Sequence, residues 1–143
     1  MSIEKTITDA FPESVLETKD IFGTPNLKIK SADLAAICGK LHSEMGFDYL
    51  EDVTAIDWRD RIEVVYHMRN IASNDKIALR VDLNREKPEI DTVTNIWKGA
   101  DYQEREVFDL MGVIFIGHPD LRRILLPEDW EGYPLRKDYV IPD

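Results

Sequence analysis

The sequence predicts an α+β fold: a mixed or antiparallel sheet with helices packed mainly on one face, then an irregular, proline-rich C-terminal arm. Three observations carry this. Leu34, Ile37, Cys38, Leu41 and Met45 recur at helical spacing. Ile62, Val64, Tyr66 and Met68, and then Ile77, Leu79, Val81 and Leu83, alternate with polar or smaller residues at period two. From His118 to Asp143 no period is sustained, and four of the seven prolines fall there.

The elements follow in order. Ile3, Ile7, Ala10 and Phe11 have helical spacing and Pro12 stops the run. Residues 14–22 and 26–30 read as two strands around a turn at Gly23-Thr24-Pro25. Ser31 is the expected N-cap of the next helix, and Gly46 ends it. Cys38 lies on that helix's apolar stripe, as a small buried hydrophobe rather than a reactive thiol. Residues 49–58 carry apolar side chains on both parities, which predicts a strand buried on both faces. The two period-two runs then complete an antiparallel meander, with His67 solvated on its more polar face. Residues 84–90 form a polar loop around Pro88, and Asp91 or Thr92 caps a helix carrying Val93, Ile96, Trp97 and Ala100.

That helix is expected to run into another over 102–111. Asp101 caps it, and Glu104 completes a capping box. Glu104 and Glu106 sit where the helix dipole favours negative charge. Arg105 and Asp109, four apart, can meet on one face. Gly112 is the stop, 113–116 a short strand, and Gly117-His118-Pro119 a turn. Residues 1–117 thus read as the α+β domain. Residues 118–143 read as an arm of the same structural unit that contacts a partner. The arm carries Leu121, Ile124, Leu125, Leu126, Trp130, Tyr133, Leu135, Tyr139, Val140 and Ile141. It is too apolar for a solvated tail, so its own domain or another protein must cover it.

A chain of 143 residues suggests one domain. Its net charge of −10 argues against nucleic acid, which requires a basic stripe, but does not exclude basic protein partners. The longest apolar run, 110–117, is too short to cross a bilayer. The N-terminus lacks a signal-peptide core, so a soluble, cytosolic-side protein is expected. One cysteine permits no internal disulfide and cannot alone hold an iron–sulfur cluster.

The inventory of reactive motifs is empty. There is no P-loop, no dinucleotide-binding glycine motif, no Cys-x-x-Cys, no His-Glu-x-x-His and no nucleophile elbow. His42, His67 and His118 fall in different elements, which argues against a metal site. Glu104, Glu106 and His118 are the one conceivable acid–base cluster. Two glutamates two apart on a helix point in different directions, so the structural reading is stronger. Arg122, Arg123, Arg136 and Lys137 form the repeated basic pairs. They are either solvated surface, or they pair with Glu104, Glu106 or Asp109 in the chain or with a partner's carboxylates.

At these residues a family resemblance enters. The pattern is Glu104-Arg105-Glu106, two residues, Asp109-Leu110-Met111, six residues, His118, three residues, Arg122, one residue, then Ile124-Leu125. It resembles the signature of the 30-kilodalton subunit family, the C-type subunits of the proton-translocating NADH:quinone oxidoreductase, respiratory complex I. The stretch 128–139 and the upstream stretch 50–57 fit as well, and Tyr102 stands where the family usually has tryptophan. The resemblance implies an α/β domain with no cofactor of its own, the iron–sulfur clusters and FMN lying in partner subunits. It implies a translocase subunit without catalytic, cofactor-binding or metal residues. Such a chain positions the quinone-module and iron–sulfur subunits of the peripheral arm as electrons pass from NADH to quinone and protons are translocated. It would lie peripherally on the cytoplasmic side of the cell inner membrane, or the matrix or stromal equivalent. The contact residues expected are Glu104, Arg105, Glu106, Asp109, His118, Arg122, Arg123, Trp130, Arg136 and Lys137. Two alternatives stand beside it: the equivalent subunit of a membrane-bound hydrogenase or ferredoxin:plastoquinone complex, and, more remotely, a stand-alone enzyme using His118 with Glu104 or Glu106.

Overall fold

The structure is a computed structural model that describes residues 2–140. Helix α1 (Ile3–Ala10) leads into a hairpin of β1 (Val15–Ile21) and β2 (Thr24–Ile29). Helix α2 (Leu34–Met45) follows, then β3 (Tyr49–Asp57), β4 (Ile62–Arg69) and β5 (Lys76–Leu83). Strand β6 (Glu89–Asp91), helix α3 (Ala100–Met111) and β7 (Ile114–Ile116) complete the helices and strands. The main sheet runs β1-β2-β5-β4-β3, with β2 and β5 parallel and the other neighbours antiparallel. Strands β6 and β7 pair in parallel as a separate ribbon.

The period-two runs set the core. Leu27, Ile29, Ile62, Val64, Tyr66, Met68, Ile77, Leu79 and Val81 point to one face, against Leu34, Ile37, Cys38 and Leu41 of α2. Burial of this kind stabilises a fold by roughly 25 cal/mol per Å² of apolar surface removed from water. The alternate residues carry charge. Buried Glu63 accepts from Arg80 at 3.0 Å and the Trp58 indole at 3.3 Å, and pairs with Lys28, which also reaches Asp82 at 2.8 Å. Cys38 is fully buried, and burial raises its pKa, as expected of a core residue.

Several elements depart from expectation, each for a local reason. The hairpin turns at Phe22-Gly23, because Ile21 already pairs with Thr24. Pro25 therefore lies inside β2, where its missing N–H is tolerated because the pairing with β5 begins only at Asn26. Ser31 caps nothing with its side chain; a 3-10 turn over Ser31–Asp33 leads into α2 instead. Strand β3 is an edge strand and is not buried on both faces. Its register shifts between Leu50 and Asp52, and such a bulge changes which parity faces inward. The loop after β5 is shorter than expected, since Glu89 and Ile90 enter β6.

The helix expected after Thr92 is absent. The Thr92 hydroxyl accepts the Thr94 N–H at 3.1 Å, and only one turn forms, with the Ile96 and Trp97 amides on the Val93 carbonyl. Asp101 is not an N-cap: α3 already begins at Ala100, after Gly99. His67 is half-exposed and 3.8 Å from Asp52. Beyond β7, residues 117–140 form neither helix nor strand. Ile141 and Pro142 lie outside the described residues.

Candidate interaction site

Two buried carboxylates organise the C-terminal segment. Asp109, on the last turn of α3, is fully buried. Its Oδ2 accepts the amides of Ile124, Leu125 and Leu126 at 3.1, 2.7 and 2.9 Å. Its Oδ1 accepts Arg123 Nη1 at 2.8 Å, and the same Nη1 donates to the Asp109 carbonyl at 2.8 Å. Arg123 Nη2 reaches the Gly132 carbonyl at 2.7 Å, and the guanidinium lies 5.1 Å from the Tyr133 ring centre. Burial pushes the Asp109 pKa up, but Arg123 and the three amides outweigh it, so the carboxyl titrates below its ordinary range.

Asp57, at the end of β3, is the second anchor. Arg85 grips it with two bonds of 2.8 Å, and the amides of Arg59 and Lys137 donate to it at 2.8 and 2.9 Å. The Arg85 hydrogen bond, aided by those amides, holds this carboxyl far below its ordinary range despite burial. Arg85 also pairs with Asp138 at 3.2 Å. Between the two anchors, the Leu135 amide donates to the Leu110 carbonyl at 3.0 Å, and Arg136 Nε to the Met111 carbonyl at 2.5 Å. Gly112 ends α3 at φ +79, and a Cβ there would meet the Tyr133 ring at 2.8 Å. Glycine therefore serves both the left-handed stop and the close approach of the ring.

The expected contact residues divide accordingly. Arg105 does not meet Asp109; it donates to the Arg122 and Arg123 carbonyls at 3.2 and 3.3 Å, because Arg123 already occupies that carboxylate. Arg123 does form the ion pair with Asp109. Arg122 pairs instead with its neighbours Asp120 and Glu128. Arg136 is spent on backbone carbonyls, and Lys137 is anchored through its amide. Trp130 is partly exposed.

Glu104 is fully buried and does not act as a first-turn surface charge. One oxygen takes the Thr92 hydroxyl and the other the Val93 amide at 2.9 Å, while burial raises its pKa. The His118 side chain is enclosed. Its Nδ1 accepts the Asp120 amide at 2.9 Å, which leaves the ring hydrogen on Nε2, 3.1 Å from the Asp101 carbonyl. Glu106 lies elsewhere, on a groove of about 320 Å³ with Asp52, Leu110 and Leu135. Glu104 and His118 are thus taken up by the fold and shut off from water, and Glu106 does not join them. Among the described residues, no three His, Cys, Asp or Glu cluster so as to hold a metal ion.

The segment's backbone is therefore bound inward while much of its apolar surface points outward. Leu125 is 49%, Leu135 59% and Val140 83% exposed. Asp57, Arg85 and Tyr133 are not among the contact residues expected from the sequence. Asp57 lies 80 positions from Lys137, so no local pattern announces it; the nearest signal is its place in the upstream stretch that fits the family.

Comparison with known proteins accords with the resemblance. The C subunit of the NADH-quinone oxidoreductase of Moorella thermoacetica is 44% identical over 131 residues, 90% of this chain and 87% of that one. The C/D subunit of the NADH-quinone oxidoreductase of Phocaeicola vulgatus is 48% identical over 109 residues, 70% of this chain but 21% of that longer one. A chain in the structure of the membrane-bound sulfane sulfur reductase, an archaeal respiratory membrane complex, superposes with a TM-score of 0.82 at 26% identity, over 97% of this chain and 84% of that one. Residues 27–143 match the family described as respiratory-chain NADH dehydrogenase, 30 kDa subunit. Helices α2 and α3, strands β3 to β7 and the carboxylate-anchored segment all fall inside that match, and the chain belongs to the 30 kDa subunit family of the respiratory-chain NADH dehydrogenase.

Proposed function

We propose that this chain is a peripheral-arm subunit of a complex I-type NADH–quinone oxidoreductase, and that it has no catalytic residue or cofactor of its own. The observation that supports this best is the segment after β7. Its backbone is fixed by Asp57 and Asp109, while Leu125, Trp130, Leu135 and Val140 face outward. A segment ordered in advance and presenting apolar side chains suits a partner surface, because little ordering entropy remains to be lost on docking. In this reading residues 118–143 act as the partner-contacting arm on the α+β domain of residues 1–117. The partners are the quinone-module and iron–sulfur subunits, which carry the redox groups while the complex translocates protons. The relative whose name joins C and D in a single longer chain favours a D-type subunit as one immediate neighbour. Among the described residues no helix is long and apolar enough to cross a membrane. Attachment to the cytoplasmic side of the membrane would then come through the complex.

The test is purification of the tagged chain from native membranes. The NADH-oxidising flavin subunit and the quinone-module subunits should co-purify, and Trp130→Ala with Leu125→Ser should reduce both their yield and quinone reduction. A chain that purifies alone, or a double variant that assembles and reduces quinone normally, would overturn the proposal. The likeness to a chain of the sulfane sulfur reductase complex favours a second reading, a sister respiratory complex with another electron donor. Recovery of a nickel-site or ferredoxin-accepting subunit in place of the flavin subunit would establish that reading.

A further inference from the structure

The hairpin tip has no part in the contacts above, and it lies before residue 27, where the family match begins. Phe22 and Gly23 form its two-residue turn with φ of +51 and +83. A two-residue hairpin turn of this hand needs positive φ at both centres, which favours Asn-Gly or Gly-Gly. A bulky aromatic in the left-handed region is an outlier. The ring gains nothing within the chain, because Phe22 is fully exposed. The turn itself is held without it, by the Gly23 amide on Asp20 Oδ1 at 2.8 Å. So Phe22 costs the fold twice, in backbone conformation and in exposed apolar surface, with no contact among the described residues in return. Such an outlier points toward function rather than stability.

The ring's surroundings indicate what it meets. Beside it lies a depression of about 550 Å³ whose rim, among the described residues, holds Glu4, Asp20 and Asp75 against one cation, Lys76. Among the described residues none of the three carboxylates has a cationic partner; the Asp75 carboxylate accepts the Ser73 hydroxyl and the Asp20 carboxylate the Gly23 amide. An acidic rim on a chain of net charge −10 is repelled by the anionic leaflet of a membrane. It complements a basic protein surface.

We propose that Phe22 is a docking anchor: its ring enters an apolar pocket on a neighbouring subunit, and lysine or arginine side chains bordering that pocket occupy the acidic depression. This rests on the reading of the chain as a subunit of a larger complex, and adds a second attachment point remote in sequence from the C-terminal segment. Aromatic anchors of this kind dominate interface energetics.

Two experiments test it on the assembled complex. In the first, Phe22→Asn suits the turn better than the native residue. The full-length variant chain should melt at the same temperature or higher, yet be lost from the complex at least about tenfold faster in a salt wash, as expected when an interface aromatic is removed. Phe22→Tyr should restore retention. In the second, a photo-crosslinking phenylalanine analogue is placed at position 22 in the native complex. It should attach to one neighbouring subunit, at a peptide containing lysine or arginine. Full retention of the Asn variant, or crosslinks to lipid or to a second copy of this chain, would overturn the proposal. If the wild-type chain fails to co-purify with any complex, the subunit reading itself fails; if it co-purifies and the Asn variant matches it, only the anchor fails.

Discussion

The face of the sheet packed by α2 and the segment after β7 are held by opposite kinds of force. The first is built from branched aliphatics that exclude water: Ile37, Leu41, Val64, Leu79 and Val81 are all completely buried. The second is built from directional bonds to two buried carboxylates and a few carbonyls. A hydrogen bond nets roughly 1 kcal/mol in water, because the unfolded groups bond to water too. Several of them can fix a backbone path without burying the side chains along it. A chain can thus shape a segment and still keep its apolar groups for another surface.

Core truncation gives the largest effect. Leu79→Ala removes methyl groups from a fully buried site on the central strand β5 and should cost about 3 kcal/mol, within the usual 2–5 for such cavities. The loss should be global, with the sheet and the segment melting together at a lower temperature in thermal denaturation. Asp109→Ala should come next, at about 2–3 kcal/mol, since it strands Arg123 and three amides. Here the loss should be local. Limited proteolysis should cut within 118–140 while the sheet keeps its amide-exchange protection. Cleavage rates equal to wild type would show that Asp109 is not the anchor.

Acid should separate the segment from the buried Glu104 contact by sign. Asp57 and Asp109 have lowered pKa values in the fold. Each contributes stability that is complete above the unfolded carboxylate value of about 4 and is lost as pH falls through the folded value. Glu104 has a raised pKa from burial, so its ionisation opposes folding as pH rises above the unfolded value, and acid relieves that. Lowering pH from 7 to about 3 should therefore loosen 118–140 first, with protection of the Thr92–Glu104 contact outlasting it. Hydrogen exchange resolved by region checks this; simultaneous loss of protection in both would refute it.

What could be seen beforehand follows the range of the interactions. Helix α2 was legible because its spacing and its stop at Gly46, φ +76, are local. Strands β4 and β5 were legible because their larger apolar residues recur at period two, although Glu63, Val65 and Ala78 on the other face are buried as well. The parity of β3 was not, since a single bulge inverts it. The missing helix after Thr92 was not either: Glu104, from 11 positions later, captures the Val93 amide. The Arg123–Asp109 ion pair was one of the open alternatives. Its purpose was hidden, because the three amides sharing that carboxylate follow 15 to 17 positions on and carry no side-chain signature.

The smallest changes sharpen the contrast most. Gly112→Ala should cost about 1–2 kcal/mol: the residue sits at φ +79, where a Cβ is disfavoured, and its new methyl would press on the Tyr133 ring. That ring stacks under both Arg123 and Arg136, so its displacement should raise proteolysis of the segment as well as lower the melting temperature. Leu135→Ser should do nearly nothing to the lone chain, within about 0.5 kcal/mol, because the side chain is mostly in water and only its amide is bound, to Leu110. A melting temperature that fell for Leu135→Ser as far as for Gly112→Ala would mean that the segment stabilises its own domain through its apolar groups. An unchanged one leaves those groups free for a partner, which is the condition the subunit reading requires.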